Sequence, residues 1–170
     1  MKAVIVFESL WGNTAAIARA IGEGLGPGTP VMSTTEATGQ AIAEADLIVA
    51  GAPVLAFRLP DDRIRENLRL NPGKAPTPPD LSAPPLRAWL AGLPRLPGGR
   101  GRFAAFETRI WWSPGGSTGA ISRGLQAAGY ARVLPAHKFI VTGAYGPLKA
   151  GEIERARHWG AELAQALAHP

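Results

Sequence analysis

An unbroken apolar run, Ala3-Val4-Ile5-Val6-Phe7, feeds directly into Ser9-Leu10-Trp11-Gly12-Asn13-Thr14, and this junction constrains the chain more than any other feature. The run is β-prone and reads as a buried parallel strand. Behind it, Ile17, Ile21 and Leu25 share one face of a helix that starts at Thr14 or just before it. The hydroxyls and the glycine therefore fall on a strand-to-helix turn. There a helix offers unpaired N–H groups and the positive end of its dipole, and Gly12 lets a ligand approach the backbone closely. The combination suits a phosphate held by Ser9, Gly12, Asn13 and Thr14. No Lys follows the glycine, so the turn is not a Walker loop. The alternative is a hydroxyl-capped turn that binds nothing.

Short apolar runs alternate with amphipathic segments along the rest of the chain, the pattern of a parallel sheet covered on both faces. The pattern predicts strands near 2–7, 30–33, 46–51, 102–107 and 137–142, and helices near 13–25, 38–44, 84–92, 117–128 and 150–168. A phosphorylatable receiver domain shares such an architecture. It needs an Asp ending the third strand and a Lys ending the fifth, where this chain has Gly51-Ala52-Pro53 and Thr142-Gly143-Ala144.

The turn resembles the phosphate loop of the flavodoxin family at Ser9, Gly12, Asn13 and Thr14, and departs from it at Trp11, where a hydroxyl residue is usual. Ala45–Pro53 is similar to that family's third strand and first flavin loop, and Phe103–Arg109 to its fourth strand and second flavin loop. The resemblance covers nearly the whole chain in the right order. It implies an α/β, doubly wound, five-stranded parallel sheet of order 2-1-3-4-5 in three layers, with the ligand where the strand order reverses. It implies FMN, with the phosphate on 9–14 and the ring between Ala52, Pro53, Val54 and Phe57 on one side and Thr108, Arg109, Trp111 and Trp112 on the other. Thr108 and Arg109 are expected at the pyrimidine edge, and one of the two indoles is expected to stack on the ring; otherwise both pack against the sheet. The implied activity is electron transfer. Two alternatives stay open: an FMN-dependent oxidoreductase acting on a quinone, a porphyrinogen or another small molecule, and a flavodoxin-like module that has lost FMN and binds a protein.

With 170 residues, 46% of them hydrophobic and 18% charged, the chain is long enough for one globular domain without staples. The absence of cysteine excludes disulfides, thiolate metal sites and thiol catalysis. No apolar run approaches a membrane span, and Met1-Lys2 leads into a core strand without a cleavage motif, so a cytoplasmic location is expected. The net charge of +5 is uneven, because residues 51–109 carry ten basic and five acidic side chains. Such a field favours an acidic redox partner, with Arg58, Arg63 and Arg65 near the cofactor mouth; a basic surface serving only solvation is the alternative.

Residues 60–101 form the irregular part. Asp61–Leu68 has the makings of a short helix, and the prolines that follow predict a functional flap beside the cofactor or plain disorder. Gly22-Glu-Gly24-Leu-Gly26-Pro-Gly28 ends a helix and so reads as a C-cap and loop, not a dinucleotide fingerprint. Gly98-Gly99-Arg100-Gly101-Arg102 is too short and lacks aromatics for nucleic-acid binding, and reads as a turn into a strand. His137, His158 and His169 lie too far apart for a metal-ligand pair, and His137 reads as structural.

Overall fold

The computed structural model describes residues 2–96 and 101–168. Its elements are β1 (Ala3–Phe7), α1 (Asn13–Leu25), β2 (Val31–Ser33), α2 (Gly39–Ile42), β3 (Leu47–Pro53), α3 (Asp62–Leu70), α4 (Leu86–Ala91), β4 (Arg102–Ile110), α5 (Thr118–Ala127), β5 (Ala131–Arg132), β6 (His137–Val141) and α6 (Glu152–Ala168). The sheet is parallel and runs β2-β1-β3-β4-β5, with β6 also on β4. The expected order holds, but the fifth strand is broken in two. β5 pairs with Arg102 and Phe103 while β6 pairs with Phe106 to Ile110. The interruption contains Pro135, which has no N–H to give the ladder.

Alternation along each strand assigns side chains to two cores. Val4, Val6, Ile48, Ala50, Phe103 and Ala105 pack with Leu86, Leu90, Ile121 and Leu125 of α4 and α5. Ile5, Leu47, Val49, Ala104 and Phe106 pack on the other face with Ile17 and Ile21 of α1 and Trp159 and Leu163 of α6. Three layers result. Two glycines inside helices make the α1–α6 contact close. A Cβ on Gly24 would lie 2.0 Å from the Arg157 carbonyl oxygen, and one on Gly160 2.3 Å from that of Ile21. Gly26 and Gly28 do occupy left-handed positions after the helix, whereas Gly22 and Gly24 belong to α1 itself and serve packing. Of the glycine-arginine turn, Gly98, Gly99 and Arg100 lie outside the described residues, as does His169.

The proline-rich region is anchored along the carboxyl end of β1. α3 begins at an Asp61 cap, whose side chain accepts from the Ile64 N–H at 2.8 Å. From it Arg65 reaches inward. Its guanidinium donates to Glu8 Oε1 at 2.6 Å and to the carbonyls of Leu81 (3.2 Å) and Ala83 (2.6 Å). The second oxygen of Glu8 accepts from the Leu86 N–H at 2.9 Å. Burial pushes the Glu8 carboxyl up, against the pull of the Leu86 N–H and Arg65. Further along, the Asp80 N–H donates to the Leu10 carbonyl at 2.8 Å and the Trp11 indole N–H to the Thr77 carbonyl at 3.1 Å. Residues 71–85 are thus a strap over the 9–12 turn. Arg65→Ala should destabilise the fold by about 3–5 kcal/mol, because it leaves Glu8 buried without its cation; urea unfolding against wild type measures this.

His137 packs beside the rings of Phe139 (4.8 Å) and Trp159 (5.2 Å), with the Arg155 guanidinium 3.0 Å from Nε2. Burial, then the neighbouring arginine, lowers its pKa from 6.5. His158 pairs with Glu162 on the surface. Among the described residues no cluster of His, Cys, Asp or Glu could hold a metal ion, and no helix is long and apolar enough to cross a membrane. Because the folded state binds a proton on His137 less readily than the unfolded one, the stability it contributes is present above the unfolded pKa and lost as pH falls through the window below 6.5. Urea titrations at successive pH values should show this fall, and His137→Gln should flatten it.

Candidate functional site

The carboxyl ends of β1, β3, β4 and β6 meet at a cleft of about 220 Å³. β1 and β3 flank the point where the chain reverses direction across the sheet, which is where open α/β sheets place ligands. Leu10, Val54, Leu55, Ile110 and Val141 give the cleft apolar walls.

One end is the 9–14 turn. Gly12 is left-handed (φ 90°), and its N–H donates to Ser9 Oγ at 3.1 Å. α1 starts at Asn13 with no side-chain cap and no acidic residue in its first turn. The first N–H groups past Gly12 therefore have no intrahelical partner. Most side chains of the turn are already committed. Thr14 is buried with its hydroxyl 2.8 Å from that of Thr108, Asn13 Nδ2 donates to the Tyr145 carbonyl at 3.1 Å, and Trp11 stands edge-on to Tyr145 at 4.9 Å.

A second wall comes from the residues after β3. The Val54 N–H donates to the Thr108 carbonyl at 2.9 Å. Leu55 and Arg58 then exchange N–H to carbonyl bonds of 3.0 and 3.1 Å around Ala56 and Phe57, whose φ values are 46° and 65°. Positive φ at both central residues is the type I′ pattern, made here without glycine or asparagine. The turn holds Phe57 out at 55% exposure. Its carbonyl accepts from the Gly116 N–H at 3.0 Å, and a Cβ on Gly115 would sit 2.0 Å from that oxygen. Only glycine permits the two loops to meet this closely.

The third wall follows β4, which runs to Ile110, beyond the predicted end at 107. Glu107, fully buried, accepts from the Ser117 (2.7 Å) and Thr118 (2.9 Å) N–H groups at the start of α5 and from Arg109 (2.9 Å). Arg109 donates also to the Gly115 carbonyl at 3.0 Å. The guanidinium is internal and its charge is met by Glu107. Neither tryptophan packs on the sheet. Trp111 and Trp112 are 76% and 59% exposed, and Trp112 alone of the two lines the cleft.

Of the predicted site residues, the structure brings Ser9, Trp11, Asn13, Thr14, Pro53, Val54, Phe57, Thr108, Arg109 and Trp112 to one cleft. Three are elsewhere. Gly12 faces a neighbouring cleft shared with Asp80 and Ser82, Ala52 is buried in the core on the α5 side, and Trp111 stands clear. Sequence reasoning passed over Val141 and Ala144. Val141 and Ala144 had a signal, since every strand of a doubly wound sheet ends at the same edge.

No protein-family model matches the chain, and no curated protein matches it. Solved structures do. A flavodoxin from the domain Archaea is similar over 99% of this chain and 100% of its own, with a TM-score of 0.65 at 20% identity. Flavodoxin 1 from Bacillus cereus covers 100% of this chain and 99% of its own, with a TM-score of 0.64 at 20% identity. The Streptococcus pneumoniae TIGR4 flavodoxin covers 98% and 99%, with 0.65 at 18%. The fold is that of the flavodoxins. In this flavodoxin fold the 55–58 turn carries strain of about 1–3 kcal/mol per left-handed non-glycine residue. Ala56→Gly should therefore raise the thermal unfolding midpoint, although glycine ordinarily lowers stability through the unfolded chain.

Proposed function

We propose that the chain binds FMN in this cleft and serves in electron transfer. One observation carries the reading: an uncapped helix N-terminus without carboxylates opens onto the same apolar cleft that Phe57 and Trp112 flank. The donor set fits the group. Backbone N–H groups at the start of α1 and the Ser9 hydroxyl would hold the phosphate, and Phe57 and Trp112 would take the faces of the ring. Val54 and Thr108, joined by their own backbone hydrogen bond, would hold the rim of the cleft in place. Bound flavin supplies the redox chemistry, and the protein contributes orientation and exclusion of water.

Trp11 argues less for a module that has lost its cofactor than its sequence position implies. Its indole N–H is turned to Thr77, and it does not cap the helix. For the redox partner we propose an acidic protein, approached by Arg58 and Arg63 at the rim. Arg65 has no part in this, being buried against Glu8.

The test is a titration of the purified protein with FMN, followed by flavin fluorescence. Binding should quench the fluorescence. Trp112→Ala should lose much of the quenching and weaken affinity about tenfold or more, as loss of roughly 1.5 kcal/mol of aromatic contact does, while Trp111→Ala leaves both nearly unchanged. Absence of binding, or equal effects from the two variants, would overturn this placement. Steady-state turnover with NAD(P)H and a quinone separates a small-molecule oxidoreductase from a carrier.

A further inference from the structure

We infer that the neighbouring cleft beyond Gly12 is a nucleotide subsite, which takes the adenylate half of FAD while the flavin half lies in the first cleft. The inference rests on the flavin reading above and extends that ligand across the turn that holds its phosphate.

The second cleft measures about 620 Å³, within the range of small-molecule sites. It lies where β1 and β2 end, with Phe7 and Ser33 on one side and Asp80 and Ser82 of the strap on the other. Ser9 lines both clefts, and Gly12 lines the second from the turn itself. The space that a Cβ of Gly12 would take has no other atom within 4 Å. A phosphate seated on the turn therefore borders both clefts.

The walls suit a nucleotide. Glu36 stands just past β2. In doubly wound sheets that bind dinucleotides, a carboxylate in that place takes the ribose hydroxyls of the nucleotide whose phosphate sits on the first strand-to-helix turn. Oε2 of Glu36 accepts from the Ser33 N–H at 2.7 Å and the Ser33 hydroxyl at 2.8 Å, bonds that hold the carboxyl below its usual range. Oε1 is left to accept from a ribose. Asp80 repeats the arrangement on the strap, with Oδ1 accepting from the Ser82 N–H at 3.0 Å and hydroxyl at 2.6 Å. Arg65 on this wall is spent on Glu8, whereas Arg19 has no ion pair among the described residues and is the cation available to a second phosphate. FAD carries about the charge of FMN divided along its diphosphate, so the added nucleotide brings hydroxyls and a base instead of further charge. Hydroxyl donors are what the two carboxylates can use.

Calorimetric titrations with FMN and with FAD test this. Wild type should bind FAD about tenfold or more tightly than FMN, through the added hydrogen bonds to charged groups. Glu36→Gln, which keeps an acceptor for Ser33 and loses the charge, and Arg19→Met, which keeps the apolar stem, should each remove most of that advantage with FMN affinity held within about twofold. Both side chains are exposed, so neither change touches the core. FAD binding no more tightly than FMN, or an advantage unmoved by both variants, overturns the inference. AMP added to the FMN-loaded protein separates a free nucleotide from a tethered one: uptake of AMP without any advantage for FAD also overturns it, because the cleft then serves a ligand of its own. If neither flavin binds, the functional reading itself falls, a result distinct from binding of FMN without preference for FAD.

Discussion

The buried contact between Glu8 and Arg65 determines whether residues 71–85 belong to the fold or merely hang from it. Glu8 directly follows β1 and Arg65 lies in α3, so the pair joins the end of the first strand to the helix that leads into the proline-rich strap. Neither charge is cheap to bury, and a lone ion pair in such a place is weak evidence for stability. Here the remaining valences are filled. The carboxylate also takes the Leu86 N–H and the guanidinium also takes two strap carbonyls, so the desolvated charges satisfy backbone groups that would otherwise be orphans. A segment too rich in proline to pair with a sheet edge is fixed in this way chiefly by side chains, with the Asp80 N–H to Leu10 carbonyl bond beside them.

The same device recurs at the two other loops that shape the molecule's upper edge. Glu107 gathers the start of α5 and, through Arg109, the Gly115 turn. Glu152 accepts from the Ile140 N–H of β6 and pairs with Arg155. Each carboxylate is buried and accepts at least one backbone N–H from a different segment, bonds stronger than their neutral counterparts. Among the described residues no buried side-chain nitrogen or oxygen lacks a partner. Loops fixed by internal charge lose little entropy when a ligand arrives, which is the main advantage of a site formed in advance.

How much of this the sequence revealed follows from the range of each interaction. Strand and helix positions were legible because they depend on periodicity within a few residues; the helix expected near 13–25 runs from Asn13 to Leu25. The 9–14 turn was legible because its function lies in its own backbone. Glu8 and Glu107 were read only as charges and Arg65 as a cation near the cofactor mouth, since nothing local distinguishes a buried charge from a solvated one, and the partner of Glu8 lies 57 residues away. The 55–58 turn was invisible for another reason. A type I′ turn announces itself by glycine or asparagine, and Leu-Ala-Phe-Arg contains neither. Strain imposed by the Phe57 to Gly116 contact overrides local preference there.

The charge balance changes meaning once these pairs are drawn. Counted along the chain, residues 51–109 have a surplus of five positive charges. Arg65 must be set against Glu8, which lies outside that range, so the surplus falls by one; Arg109 is sealed against Glu107, a pair already cancelled in the count, and neither arginine presents a cation to an approaching protein. Arg58 is paired with Asp61 at 3.0 Å. The field at the cleft mouth is accordingly weaker than composition implies, and at physiological salt its reach is about 8 Å. Charge of that kind hastens encounter without fixing orientation. For the acidic partner proposed above, register must come from groups with shape, and of the exposed aromatics Phe57 and Trp112 line that cleft.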